Sequence, residues 1–272
     1  MRYSNLTTGQ IADALTVSKS ALSGTYEADG DVTYVVRLDN NGAAPLTDLT
    51  LSDDLGGYAF DQTTVYPLSY RADSLHYYVN GVEQPTPTVT PGAPLTVSGV
   101  LVPAGGNALL VYEATVTEYA SPAEDGSITN TVTASGGGLT APVTASATIS
   151  AAAGPELTIT KALTPETVGA DQQVTYTFTI ENEGNAATSP EDQVTVTDTF
   201  DPALTDLTVT LDGAPLAQPG GYTYDESTGA FATIPGAIQV PAATYTQDPA
   251  TGVYTAEPGE AVLVVTGTIQ TN

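Results

Sequence analysis

Short runs of alternating apolar and polar residues recur along the whole chain. A two-residue period is typical of strands with one buried face. Thr, Val, Tyr and Ile, which favour pleated and half-buried positions, dominate these runs, for example at residues 15–18, 32–36, 49–52 and 174–180. Turn pairs such as Asn80-Gly81 and Asp212-Gly213 separate them. No long segment has the period of a helix, so the sequence predicts an all-β fold built from sandwiches.

An internal repeat divides the chain into two copies of one pattern. Each copy begins with a strand that ends near a lysine and continues through the same series of strands and turns. The clearest correspondences are Leu15–Leu22 with Leu157–Thr164, Leu49–Asp53 with Val194–Asp198, and Ala108–Tyr119 with Ala261–Asn272. We expect two tandem Ig-like β-sandwich domains, at residues 12–150 and 151–272, preceded by an N-terminal strand or tail at residues 1–11.

The second copy is expected to lack its closing strands. The first copy continues after Tyr119 into runs at residues 128–133 and 143–149, which have no counterpart in the second copy. A sandwich without its last strand exposes an unpaired edge and an open groove, which a strand of another molecule can fill. Residues 3–11 lack a sheet of their own and are the predicted donor. This arrangement predicts a homopolymer joined head to tail.

The composition removes several classes of function. The 272 residues include no cysteine and one histidine, His76, which argues against disulfides, a zinc site and a Ser-His-Asp triad. With 5 basic and 31 acidic residues, the net charge is −26, which argues against nucleic acid and anionic membranes as partners. No apolar run is long enough to span a bilayer. We expect neither a metal nor another cofactor.

Strand alternation assigns five polar side chains to apolar faces. Residues two apart on a strand point to the same side, so each polar residue takes the face of its apolar neighbours. The five residues are Lys19, Asp53 and Asn130 in the first copy, and Lys161 and Asp198 in the second. Buried charges are costly unless they are paired. We therefore expect Lys19, Asp53 and Asn130 to meet in one core.

These three residue types suit an intramolecular isopeptide bond. Burial favours the neutral amine of a lysine and the neutral form of a carboxyl group. The Lys19 amine can then attack the Asn130 side-chain amide while Asp53 promotes the reaction by transferring protons. Two alternatives remain open: a buried Lys19–Asp53 salt bridge that is hydrogen-bonded to Asn130, and a misassigned strand face.

The second copy has the lysine and the aspartate but no late asparagine of its own. Asp198 is the promoting carboxyl predicted for Lys161. Asn5 of another chain is a candidate third member, because residues 3–7 loosely match Ile128–Val132. In the alternative interpretation, residues 1–10 are a tail without structure.

Several motifs resemble the "conserved repeat domain" of bacterial surface proteins, family eleven among the domains of unknown function. The resemblance covers both copies, and its motifs are the first-strand lysines, Ile128–Thr131, Val174–Phe178, Glu181–Gly184 and Val194–Thr199. It implies Ig-like sandwiches in wall, envelope or spore-surface proteins with structural or adhesive roles and no known catalysis. The trio of Lys19, Asp53 and Asn130 is also similar to the bonded domains of Gram-positive adhesins and pili.

The leading hypothesis is a structural subunit of an extracellular fibre on a bacterial cell or spore surface. The alternative is an adhesive module that binds a host ligand or other surface proteins through hairpins of the second copy. The sequence predicts no enzyme beyond formation of its own isopeptide bond.

Overall fold

The computed structural model describes residues 15–167, 169 and 172–269. These residues form two compact units. Unit one consists of the described residues up to Ala152 together with Gln247–Tyr254, and unit two of Ala153–Thr246 together with the residues from Thr255 onward. The described part consists of strands, turns and one 3-10 helix, Pro190–Asp192. The predicted all-β class, with Ig-like sandwich units, is confirmed.

Unit one contains fourteen strands, which follow the alternating runs of the sequence. They are β1 (Leu15–Ala21), β2 (Thr25–Tyr26), β3 (Asp31–Asn40), β4 (Leu46–Asp53), β5 (Tyr58–Phe60), β6 (Thr63–Val65), β7 (Leu68–Tyr70), β8 (His76–Val79), β9 (Val82–Gln84), β10 (Thr88–Thr90), β11 (Leu95–Val102), β12 (Asn107–Val116), β13 (Ser127–Gly136) and β14 (Val143–Ala151).

Two six-stranded sheets make up most of unit one. The first has the order β1-β3-β12-β8-β9, with β7 also paired to β12, and the second has the order β10-β11-β4-β13-β14-β2. The longest strands alternate buried and more exposed residues along their length, as in β3 and β12. Their inward residues form one core, in which the largest fully buried side chains include Tyr34, Leu38, Leu49, Leu110 and Ile149.

Ten further strands continue the chain. They are β15 (Leu157–Thr164), β16 (Gln173–Asn182), β17 (Thr197–Thr199), β18 (Leu204–Leu211), β19 (Ala214–Pro215), β20 (Tyr222–Asp225), β21 (Ala230–Thr233), β22 (Thr244–Gln247), β23 (Tyr254–Glu257) and β24 (Gly259–Ile269). One sheet has the order β15-β16-β24-β18-β19, another the order β17-β21-β20, and β22 pairs with β23. The core of unit two surrounds Phe200, Ile238 and Leu263.

The sequence repeat is also a structural repeat. The order β15-β16-β24-β18-β19 places each strand where its sequence counterpart lies in β1-β3-β12-β8-β9. Two buried asparagines at equivalent positions make the same hydrogen bonds. Asn40 donates to the Ala44 and Val102 carbonyls and accepts from the Gly42 amide. Asn182 makes the corresponding bonds to Ala186, Pro241 and Gly184.

The covering of the first strand differs between the units. In unit one, β14 packs across β1, while β13 pairs with β4 on one side and β14 on the other. In the described part of unit two, no strand takes the place of β13 or β14. The inward face of β15 is therefore exposed, including Leu157 (38%) and Ile159 (54%).

Candidate functional site

Lys19 and Asp53 form a buried ion pair in the core of unit one. Lys19 lies on β1 in one sheet, and Asp53 is the last residue of β4 in the other. The Lys19 Nζ and Asp53 Oδ2 atoms are 2.5 Å apart, and the side chains are 0% and 5% exposed. Burial lowers the pKa of Lys19, and this effect outweighs the opposing charge of Asp53. The pair therefore places a lysine that loses its proton more readily next to a carboxyl group that can accept it.

Two tyrosines enclose this pair. The Tyr112 hydroxyl donates to Asp53 Oδ2 at 2.5 Å, and the Leu55 amide donates to Asp53 Oδ1 at 3.1 Å. The Tyr34 and Tyr112 rings are stacked with centroids 5.8 Å apart, and Lys19 Nζ lies 4.8 Å from the Tyr34 ring centroid. Sequence reasoning missed both tyrosines. Their alternation with Val32, Val36, Leu110 and Ala114 carried the signal, because it assigns both to the inward face.

Asn130 lies on the same inward face as Asp53. On the paired strands, Val132 is opposite Asp53, so Asn130 is one diagonal step away on that face. Asn130 is 0% exposed. Among the described residues, neither its Nδ2 nor its Oδ1 has a hydrogen-bond partner, and the same is true of the Tyr34 hydroxyl.

The surroundings of Asn130 include both tyrosine hydroxyls. Burial raises the pKa of Tyr34 and of Tyr112, and the Asn130 amide opposes the rise in each through a polar interaction. No pair of atoms in these interactions meets the distance and angle requirements of a hydrogen bond. The structure therefore brings together the three residues that the sequence selected, Lys19, Asp53 and Asn130. It adds Tyr34 and Tyr112 to them.

The unpaired amide distinguishes between two interpretations of this site. A buried polar group without partners costs about 1 to 3 kcal/mol, and Asn40 and Asn182 show how this fold satisfies a buried asparagine. A non-covalent triad would use Asn130 as a hydrogen-bond partner, and Asn130 has no such partner among the described residues. The arrangement places an amine, a carboxyl group and an unpaired amide in one buried core, which are the groups that a condensation of lysine with asparagine would require.

The second lysine makes the same contact in a different environment. Lys161 Nζ and Asp198 Oδ2 are 2.5 Å apart, but their side chains are 42% and 18% exposed. Lys161 is thus far more exposed than Lys19. The physical reason is the uncovered face of β15, which leaves Lys161 open to solvent on one side and 4.7 Å from the Tyr176 ring centroid on the other.

The edge of β17 is open where unit one has β13. Val196 and Phe200 direct main-chain hydrogen bonds toward Thr233 and Gly229. Because main-chain groups alternate in direction along a strand, the main-chain groups of Thr197 and Thr199 point away from β21. The Thr199 amide there donates to Asp198 Oδ1. In unit one, the Asp54 amide at the equivalent position donates to the Thr131 carbonyl of β13. In the described sheet, β17 is an edge strand.

Several other predictions concern positions away from this site. Asn5 and the donor segment at residues 3–11 lie outside the described residues. His76 is exposed and contacts Glu83. No group of His, Cys, Asp and Glu side chains suited to a metal occurs in the described residues. None of the described residues form a helix long and apolar enough to cross a membrane.

Comparisons with known proteins find solved structures only. No family model matches the chain, and no curated protein matches it. The major pilin subunit BcpA of Bacillus cereus is 10% identical with a TM-score of 0.37, over 91% of this chain and 66% of that one. The pilus backbone RrgB of Streptococcus pneumoniae is 11% identical with a TM-score of 0.35, over 90% of this chain and 56% of that one.

A third match covers only part of this chain. The collagen-binding subdomain of the Enterococcus faecalis surface protein ACE is 7% identical with a TM-score of 0.32, over 51% of this chain and 99% of that subdomain. The chain thus spans less than two thirds of both pilins but nearly all of the adhesin subdomain. Because these identities and TM-scores are low, a function for this chain has to come from its own residues.

Proposed function

We propose that this chain is a structural subunit of a bacterial cell-surface or spore-surface fibre, in which a Lys19–Asn130 isopeptide bond closes the first sandwich. The observation that carries the proposal is the buried Asn130 amide without a hydrogen-bond partner, beside a buried Lys19–Asp53 pair. Such a bond removes the cost of the unpaired amide and of the buried charges together.

The bond forms without an oxidant or an external reagent. Lys19 first gives a proton to Asp53, and the neutral Nζ then attacks Cγ of Asn130. As the Cγ–Nδ2 bond breaks, Asp53 gives that proton to the departing nitrogen and takes one from Nζ. One ammonia leaves, an amide joins Lys19 to Asn130, and Asp53 ends protonated and neutral.

The position of the bond suits a load-bearing role. Lys19 is on the first strand of one sheet, and Asn130 is on a late strand of the other. Separating these strands would then require breaking a covalent bond, whereas hydrogen bonds alone hold ordinary strands. The cross-link also closes a loop of roughly 100 residues, which by the entropic model for disulfides stabilises the fold by about 4 to 5 kcal/mol.

Unit two supplies the proposed joint between subunits. Its open β17 edge and the exposed face of β15 form an acceptor surface for one further strand. In the proposed fibre, residues 3–11 of the next subunit pair with β17 and bring Asn5 toward Lys161 and Asp198. This contact is heterologous, so it propagates as a fibre.

An adhesive role receives less support from the tyrosines of unit two. Tyr222 is buried, the Tyr224 hydroxyl donates to the Leu204 carbonyl, and the Tyr245 hydroxyl donates to the Glu183 carbonyl. These side chains stabilise their own unit, and we therefore favour the fibre over a ligand-binding module.

Intact mass spectrometry tests the cross-link. The chain should weigh less than its sequence by one ammonia, whereas Asn130→Ala and Asp53→Ala should have their full sequence masses. Asn130→Asp supplies a carboxyl group to the same amine and should lose one water instead. A full-mass native chain that is folded would overturn the proposed bond.

A further inference from the structure

The two stacked tyrosines hold hydroxyl groups at the reacting atoms. Tyr34 on β3 is directly opposite Tyr112 on β12, and both rings are buried. The Tyr112 hydroxyl shares the Oδ2 atom of Asp53 with Lys19 Nζ. The Tyr34 hydroxyl is close enough to Asn130 for the amide to lower the pKa of Tyr34, yet it makes no hydrogen bond of good geometry among the described residues.

Asp53 is held at both of its oxygens. Tyr112 donates to Oδ2 and the Leu55 amide donates to Oδ1, so the carboxyl group keeps its orientation when Lys19 moves away toward Asn130. This matters because Asp53 must take a proton from one nitrogen and deliver it to another, and proton transfer requires hydrogen-bond geometry at each. Without Tyr112, the Leu55 amide would hold the carboxyl group at only one of its two oxygens.

The carbonyl oxygen of Asn130 would need a hydrogen-bond donor during the proposed reaction. Attack by Nζ places negative charge on Oδ1 in the tetrahedral intermediate, and a positioned donor in a dry site stabilises that charge strongly. Oδ1 has no partner within the described structure, and the nearby Tyr34 hydroxyl has none to donate to. The Tyr34 hydroxyl can donate the hydrogen bond that Oδ1 of Asn130 can accept.

We propose that Tyr112 is a positioning residue that orients Asp53, and that Tyr34 donates to Oδ1 of Asn130 as the isopeptide bond forms. The inference rests on the cross-link proposed above. After ammonia leaves, the Tyr34 hydroxyl continues to donate to the carbonyl oxygen of the new amide.

Unit two provides a natural comparison. Its equivalent strand pair places Tyr176 opposite Val265, so Tyr34 has a counterpart and Tyr112 does not. Asp198 accordingly has no tyrosine at the corresponding position of β24, and the amide of Thr199 donates to its Oδ1. A bond at Lys161 would then form more slowly than the bond at Lys19, even with an asparagine in place.

The test measures how fast the full chain loses ammonia after cell-free synthesis, by intact mass at successive times. Tyr112→Phe should slow the reaction at least about tenfold, and Tyr34→Phe about a hundredfold. Tyr77→Phe is the control, because it removes the hydroxyl of another buried tyrosine that bonds elsewhere, to the Leu101 carbonyl and amide. It should leave the rate unchanged.

A second series separates chemistry from folding. In the Asn130→Ala background, which cannot form the bond, Tyr112→Phe and Tyr77→Phe should both lower stability, because each removes a hydroxyl that has hydrogen-bond partners. If Tyr112→Phe and Tyr34→Phe react as fast as Tyr77→Phe in the native background, the roles assigned to the tyrosines are wrong and the cross-link stands. If the native chain itself never loses ammonia, the cross-link is wrong and these roles fall with it.

Discussion

Lys19 and Lys161 make the same 2.5 Å contact to an aspartate on equivalent strands, yet one side chain is fully buried and the other is 42% exposed. The difference in exposure comes from the strands that surround the two ion pairs. In unit one, β13 and β14 cover the face that carries Lys19, whereas no described strand covers the face of β15. The same local sequence therefore produces a buried ion pair in one unit and a solvent-exposed ion pair in the other.

Breaking the buried pair should destabilise unit one more than breaking the open pair destabilises unit two. In the Asn130→Ala background, Lys19→Met leaves Asp53 as a buried charge without its counter-ion, which should lower the free energy of unfolding by about 3 kcal/mol or more. Lys161→Met should cost less than about 1 kcal/mol, because solvent reaches that pair. Denaturant unfolding measures both values.

Replacing both partners tests whether the uncompensated charge of Asp53 causes the loss of stability. Adding Asp53→Leu to Lys19→Met, again in the Asn130→Ala background, removes the uncompensated carboxylate and should restore much of the lost stability. Equal costs for Lys19→Met and Lys161→Met would contradict the burial of the Lys19–Asp53 pair.

The stability of the Asn130→Ala variant should rise with pH on the alkaline side. Burial lowers the pKa of Lys19 in the fold below the ordinary lysine value of 10.5. Between these two pKa values the unfolded chain binds one more proton than the folded chain, so the free energy of unfolding increases as pH rises. The series should stay below pH 10.0, the ordinary tyrosine value, because the raised pKa of Tyr34 has the opposite effect above it.

The same pH series, measured on the double variant Asn130→Ala with Lys19→Met, isolates the contribution of Lys19. The alkaline rise should become shallower in the double variant, since the lysine responsible for it is gone. Parallel stability profiles for the two proteins would show that Lys19 titrates alike in the folded and unfolded chains.

Leu15 and Leu157 form a matched pair for the open face. They begin β1 and β15, at 1% and 38% exposure. Leu15→Ala should cost about 2 to 5 kcal/mol through a core cavity, and Leu157→Ala in the monomer should cost less than about 1 kcal/mol. Thermal unfolding of both variants measures the contrast, and a Leu157→Ala cost as large as that of Leu15→Ala would mean that the β15 face is covered in solution.

Deleting residues 1–11 should convert head-to-tail multimers into monomers. The deletion removes the proposed donor and leaves the acceptor surface of unit two intact. Lys161→Met serves as the comparison, because it retains the donor strand and removes only the amine for a covalent joint. Light scattering and denaturing gels distinguish the outcomes: non-covalent multimers for Lys161→Met and monomers for the deletion. A native chain that stays monomeric at high concentration rules out strand donation.

The sequence alone predicted the strand pattern and the internal repeat. Alternation predicted the strands and assigned Lys19, Asp53 and Asn130 to inward faces, because successive side chains of a strand must point to opposite sides. The repeat predicted two units with the same strand order. The resemblance to the bacterial conserved repeat domain and the role of Asn5 stay predictions.

Only the tertiary structure decided what each inward residue meets. Alternation fixes the side of a strand on which a residue lies, but the distance to a residue of the opposing sheet depends on how the two sheets pack. The 2.5 Å contact between Tyr112 and Asp53 and the unpaired amide of Asn130 are of this kind. Lys161 shares its alternation with Lys19 and is nevertheless exposed, because burial requires a second sheet layer that the residue's own strand does not provide.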